Sequence, residues 1–321
     1  MAEKSDFRAT SSYDETMTFL KKAEAAAPEN IRVTDFGTSG QGRPLPLVIV
    51  SSDGAFTPDA AAATGKPVLL LQSCIHAGEV DGKDATMMIV RDIALGRRPD
   101  LAKGAILLFA PIYNADGHEH VSPYNRSNQN GPVEGQGYRA TANGINLNRD
   151  FLRLVSPEGK ALARLVSTWN PHLHVDNHVT NGSDHAWVLT WLVAEAPQLD
   201  PAIDVWVDDH LPDIMAATDA AGHPNGPYVS HVSRSDPAAG MIWDVAQPRY
   251  SSGYFPLRNR VSILIEMHAH KPFRGRVYAN RSFMEELILE VNDSGDELIK
   301  AVATAEARTV ALGGPNADPS Q

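Results

Sequence analysis

The chain has 321 residues, enough to bury a large core as one big domain or two smaller ones. A formal net charge of −11 argues against nucleic acid or an anionic membrane as the main partner, and no apolar run is long enough to span a bilayer. The single cysteine, Cys74, excludes an internal disulfide; the opening MAEKSDFRAT lacks the basic-then-apolar pattern of a signal peptide, so cytoplasmic and exported locations both stay open.

In chain order, strand and helix signals alternate. Residues 1–44 read as a helical or extended lead-in, followed by a strand at Leu47 to Val50. Ala55 to Gly65 reads as a surface loop, and Val68 to Leu71 as a strand. Asp84 to Leu95 has a helical pattern ending at Gly96, and Ala105 to Ala110 is a further buried strand. A Gly- and Asn-rich stretch from Asn114 to Asn148 is too long for a simple connection and points to function. Ser156-Pro157-Glu158 starts a helix with a capping hydroxyl, Pro at its first position and an acid in its first turn; it stops at Pro171. His172 to His178 alternates like a strand, Asp200-Pro201 opens a helix, Val261 to Glu266 is a late strand, and Phe283 to Leu312 is mostly helical. This alternation predicts one α/β domain over 1–321 with its core at about 45–310, a mixed, largely parallel central sheet with helices on both faces.

Sites in such sheets lie beyond the C-terminal ends of strands. His76 and Glu79 follow the Val68 strand, His178 ends the His172 strand, and Glu266 ends the Val261 strand. Zinc suits two imidazoles and a carboxylate with one position left for water, which a further carboxylate such as Glu266 can deprotonate. A His and a Glu three apart are by themselves a weak signal, since such a pair on a surface is ordinary. His172, His174, Asp176 and His178 share one strand face, so alternation cannot pick the third ligand. Position favours His178, nearest the strand's end, leaving His172 as a hydrogen-bonded buried residue and Asp176 to orient a ligand imidazole.

The ordered segments His76-Ala77-Gly78-Glu79, Asn114-Ala115-Asp116-Gly117, Gly144 to Phe151 (GINLNRDF), Asp176-Asn177-His178 and Ile263-Leu264-Ile265-Glu266 together resemble the M14 zinc carboxypeptidases. The resemblance covers roughly Leu45 to Val310. It implies one zinc per chain on His76, Glu79 and His178, with Glu266 as general base and then proton donor to the leaving amine. It further implies Asn148 and Arg149 as the grip on a substrate's free carboxylate, a role that suits a guanidinium fork. Tyr138-Arg139 looks like the family's Trp-Arg step, which makes Arg139 the oxyanion-stabilising residue, with Arg126 the second candidate.

Two departures stand out. Asn146 occupies the place of an aspartate that supports the first histidine ligand, and the family's active-site tyrosine is left open among Tyr228, Tyr250 and Tyr254. Arg258 and Arg260 are either extra substrate contacts or part of a solvated basic loop. The expected function is zinc-dependent hydrolysis of a C-terminal peptide or cell-wall peptide amide. The alternatives are an N-acyl amino acid deacylase of the aspartoacylase and succinylglutamate desuccinylase type, and an inactive carboxypeptidase-like binding module.

Overall fold

A computed structural model describes residues 2 to 313 apart from 234 and 244; the ends of the expected 1–321 domain, residues 1 and 314–321, lie outside them. Eight strands form one mixed sheet in the order β1 (Ile31–Thr38), β2 (Pro44–Val50), β4 (Ile106–Ala110), β3 (Val68–Ser73), β5 (Leu173–Val179), β10 (Val261–Met267), β6 (Leu189–Val193) and β7 (Asn225–Pro227). The central run β4, β3, β5 and β10 is parallel, and antiparallel joints at β2–β4 and β10–β6 close it on either side. A separate antiparallel hairpin pairs β8 (Val229–His231) with β9 (Met241–Trp243).

Helices cover both faces, as the alternation predicts. On one face α1 (Tyr13–Ala26), α3 (Asp81–Ala94), α6 (Pro201–Ala220) and α8 (Phe273–Leu312) share a core with Leu69, Leu71, Phe109, Val175 and Ile263. On the other, α2 (Pro58–Thr64) and α5 (Pro157–Trp169) cover Val68, Leu70, Ile106 and Leu108. The period-two pleat then decides where chemistry can sit. Strands β5 and β10 turn His174, Asp176, His178 and Ser262, Leu264, Glu266 toward this second face, and none of these belongs to the apolar cluster under α5. The sheet is thus apolar on both sides at β3 and β4, and polar on one side at β5 and β10.

Local expectations changed in three places. Ala55 to Gly65 is not wholly loop: Thr57 accepts from the Ala60 amide to cap α2, Pro58 opens it, and Gly65 closes it at φ +70°. A run of four alanines with those end signals forms a helix despite its exposed position. Helix α3 begins at Asp81, three residues before the apolar pattern starts, because the Asp84 amide already bonds the Val80 carbonyl. Helix α8 starts at Phe273 and runs 40 residues, about 60 Å at 1.5 Å per residue. The lead-in supplies α1 and the edge strand β1, and Leu20, Ile31 and Val33 pack into the main core.

Candidate active site

The chain leaves β3 through Cys74, whose φ of +56° turns it sharply out of the strand. The Cys74 thiol is fully buried and burial pushes it up to about 12, so it is inert packing. Two residues later the ligand turn begins, closed by the Glu79 amide on the His76 carbonyl at 2.9 Å. Gly78 is needed here for close approach: a Cβ would stand 2.6 Å from the Gly137 carbonyl oxygen and 2.7 Å from Arg126 Cδ.

His76, Glu79 and His178 are all buried and offer donor atoms that lie within 4.8 Å of one another. His76 Nδ1 lies 3.1 Å from both Glu79 Oε1 and His178 Nδ1, and His178 Nδ1 lies 2.8 Å from Glu79 Oε2. The outer ring nitrogens are already held. His178 Nε2 meets Asp176 Oδ2 at 2.8 Å, and His76 Nε2 meets Asn146 Oδ1 at 3.1 Å. Asn146 therefore does what an aspartate would do there, through a neutral carbonyl oxygen. Asp176 is fixed in turn by Gln72 Nε2 at 3.0 Å and by the Ser251 hydroxyl. A zinc ion fits this arrangement, since two imidazoles and a carboxylate converge through their inner atoms while their outer atoms are oriented.

Electrostatics bind the group together. Burial works to raise Glu79, but His76, Arg126 and His178 outweigh it and hold its carboxyl well below the usual range. Burial works to lower His178, yet Asp176 and Glu79 raise it well above an ordinary imidazole. Asp176 comes down to about 2 because the His178 charge and hydrogen bond overcome its burial. The site is a buried, mutually compensating charge cluster.

Glu266 stands directly beside His178 in the parallel β10–β5 register. As a residue it is part-buried, but its Oε2 has no solvent contact and no hydrogen-bond partner among the described residues. Burial raises the Glu266 carboxyl to about 7, with Glu79 adding to the rise and His178 opposing it. An unpartnered carboxylate tuned near neutrality is what a general base requires.

One cavity of about 770 Å³ is lined by His76, Glu79, His178 and Glu266 together with Arg126, Arg139, Asn148 and Arg149. Every site residue expected from sequence borders it. Arg126 is half-buried, 2.7 Å from Glu79 Oε1, and also donates to the Val179 and Thr180 carbonyls at 3.1 and 3.2 Å. Arg139 reaches the same Glu79 oxygen at 3.4 Å with 43% of its side chain exposed, and Asn114 holds its backbone carbonyl at 3.2 Å. Asn148 is buried, accepts from the Ser251 amide at 3.0 Å and places its Nδ2 3.4 Å from His178 Nε2.

Arg149 lies 4.4 Å from the centre of the Tyr250 ring, and Arg249 sits 4.8 Å from the same ring. Burial lowers the Arg149 pKa, Tyr250 opposes the fall, and Arg139 and Arg249 add to it, so an incoming carboxylate relieves its position. This separates the three candidate tyrosines. Tyr250 stacks on Arg149, Tyr228 also borders the cavity, and Tyr254 is instead packed against Phe151. Sequence reasoning could not rank them, because the short helix Ser251–Tyr254 that sets Tyr250 carries no strong pattern of its own.

The remaining candidates fall elsewhere. His172 Nδ1 accepts from the Val68 amide at 3.1 Å, and His174 stacks on Phe255 at 3.8 Å with its Nδ1 on the Ser262 hydroxyl. Arg260 is buried at the other end of β10 against Asn170 and Glu306, and Arg258 lies over Tyr254; neither borders the cavity.

The zinc carboxypeptidase family model matches residues 16 to 180, just over half of the chain. The chain belongs to the zinc carboxypeptidase family. Three solved structures share the family fold. The carboxypeptidase A of Helicoverpa armigera superimposes with a TM-score of 0.62 at 17% identity, over 94% of this chain and 75% of that one. A Pseudomonas aeruginosa metallo-carboxypeptidase bound to (2-guanidinoethylmercapto)succinic acid gives 0.60 at 18% identity, over 90% and 70%. Thrombin activatable fibrinolysis inhibitor gives 0.63 at 15%, over 94% and 80%. No curated protein sequence matches the chain. Among the described residues, no helix is long and apolar enough to cross a membrane.

Proposed function

We infer that this zinc carboxypeptidase family member is a working exopeptidase that removes a bulky apolar residue from the C-terminus of a peptide. The observation that carries the reading is the cavity itself, which gathers a three-donor metal group, an unpartnered carboxylate and an arginine suited to a free carboxylate. An inactive binding module has no need of the Glu266 carboxylate in that position.

His76, Glu79 and His178 would hold a zinc ion, which when bound would supply an acidified water and a Lewis acid for the scissile carbonyl. Arg149 forks onto the terminal carboxylate, with Asn148 beside it, which sets the last peptide bond rather than an internal one at the reacting position. Glu266 takes the water's proton on its carboxylate and later returns it to the leaving amine nitrogen. Arg139, close to the metal group and partly free, stabilises the charge that develops on the carbonyl oxygen, and Arg126 holds Glu79 in place.

The apolar preference comes from the rest of the lining. The cavity's arginines all come from residues 126–149, whereas Leu192 and Leu264, paired in register next to Glu266, come from β6 and β10. Around them Ile242, Trp243 and Val245 are 52%, 37% and 65% exposed and border the same space. Apolar side chains left open in a cavity favour an apolar ligand. Peptides ending in Phe, Leu, Lys or Glu, assayed beside N-acetyl amino acids, test the reading. Release of Phe and Leu is expected; turnover of acyl amino acids alone moves the assignment to a deacylase.

A further inference from the structure

Arg276 lies in the first turn of α8 with none of its surface exposed, and nothing in the chemistry above employs it. Its Nε and Nη2 fork onto Asp81 at 2.9 and 3.4 Å. Its remaining N–H groups donate to four backbone carbonyls: Lys271 at 2.7 Å, Asn130 and Gly131 at 2.9 Å each, and Ala269 at 3.1 Å. The guanidinium therefore spends its whole fork on a carboxylate and two further stretches of chain, 130–131 and 269–271. A lysine can match the charge of Asp81 but cannot reach these acceptors together.

Each acceptor is a short step from the cavity. Asp81 follows the ligand Glu79 by two residues, at the start of α3, and Ala269 follows Glu266 by three. The Ala269 amide donates to the Thr180 hydroxyl at 3.1 Å, which ties in the residues just after His178. Asn130 and Gly131 end a tight loop whose Gln129 accepts from Arg126 Nε and donates to the Gly78 carbonyl at 3.1 Å. Arg126 itself holds Glu79 at 2.7 Å. Hydrogen bonds run from Glu79 through Arg126 and Gln129 to the Gly131 carbonyl, and from there through Arg276 to Asp81; the two-residue step of chain from Asp81 to Glu79 closes the circuit.

We propose that Arg276 is a positioning residue that clamps the Arg126–Gly131 loop, the start of α3 and the exit of β10 into one body, and so sets Glu79 and Arg126 against Glu266. Its kinetic consequence rests on the peptidase reading; its mechanical consequence does not.

The test compares Arg276→Lys with Arg260→Lys, which alters a second buried arginine at the opposite end of β10. In the metal-free chain the amides of Gln129, Asn130 and Gly131, all hydrogen-bonded, should exchange about tenfold faster in Arg276→Lys and unchanged in Arg260→Lys. Zinc loss to a chelator should quicken by about tenfold, and kcat should fall by roughly tenfold or more with KM within about twofold, again only in Arg276→Lys. Identical behaviour of the two variants in exchange and zinc release overturns the proposal, leaving Arg276 a stability residue. If Arg276→Lys does not fold, Gln129→Met cuts the same circuit, and unchanged zinc release and kcat there overturn it equally. A wild-type chain that binds zinc without cleaving peptides removes the peptidase reading, and the exchange and zinc arms still decide the clamp.

Discussion

Glu266 and His178 occupy the same register position on the adjacent parallel strands β10 and β5. The proposed base and a proposed metal ligand, far apart in sequence, are thereby spaced by the backbone hydrogen-bonding of the sheet rather than by loops. Replacing Glu266 with Gln removes the proton acceptor while preserving shape, so the metal group should stay intact. We expect one zinc per chain to be retained and kcat to fall about 10²- to 10⁴-fold. Metal analysis beside steady-state kinetics checks this, and unimpaired turnover removes Glu266 as the base.

The same carboxyl sets a pH dependence. As the proposed base Glu266 must be deprotonated, so kcat/KM is expected to rise with pH through its pKa. Burial raises that value to about 7 without a metal, and a bound dication pulls it down. The acidic limb is therefore expected below pH 7 in the zinc form. A profile flat from pH 5 to 8 contradicts the assignment.

Asn146 supports His76 through a neutral oxygen at 3.1 Å. Asn146→Ala leaves that ring nitrogen without its partner and should weaken zinc binding about ten- to a hundredfold, whereas Asn146→Asp should restore or tighten it. Competition with a chelator of known affinity measures both, and equal affinities in all three forms rule out a supporting role.

Gly78→Ala forces a methyl group to within 2.6 Å of the Gly137 carbonyl and 2.7 Å of Arg126 Cδ. The backbone contact cannot yield cheaply, so Arg126 and the ligand turn must move. Loss of about 1–3 kcal/mol in stability, with faster zinc release, is expected. Denaturant midpoints and chelator kinetics give the two readings; an unshifted midpoint denies the close fit.

His118 and His174 contribute to the acid stability, beside His172, which burial also lowers to about 4. Burial lowers the first two to about 4, with Lys83 adding to the effect at His118 and His178 at His174, while Glu119 and Asp176 pull the other way. Their folded values lie below the ordinary imidazole, so the unfolded chain takes up protons first as pH falls. Stability should be complete above about pH 6.5, decline toward pH 4, and lose up to roughly 3 kcal/mol per histidine. Urea unfolding at pH 7 and 4.5 reads this directly.

The strands and the candidate ligands are legible because short-range signals carry them. Apolar runs named β3, β4 and β10, a Ser-Pro-Glu start named α5, and strand-end position picked His178 from its neighbours. Sequence could not show the hairpin β8–β9, whose three-residue strands are too brief to leave a period, nor the Arg276 clamp, which joins residues 81, 130 and 271 through tertiary contact alone. The helix α2 has its end signals in Thr57-Pro58 and Gly65, but the alanine-rich composition of 55–65 reads as a surface loop. Sequence neighbours favour Arg139 over Arg126; the contact of Arg126 with buried Glu79 is a property of the folded loop.

The cavity is built from parts with separate origins. Its floor is the parallel pair β5 and β10, where any shift disturbs His178 and Glu266 together. Much of its roof is the small hairpin carrying Ile242 and Trp243, which shares no sheet with the floor. Side chains on that roof can be exchanged one by one without touching the strands that hold the reacting groups. If the proposed peptidase reading holds, selectivity and reactivity are separately adjustable, and a redesign toward other peptide ends should begin at the roof.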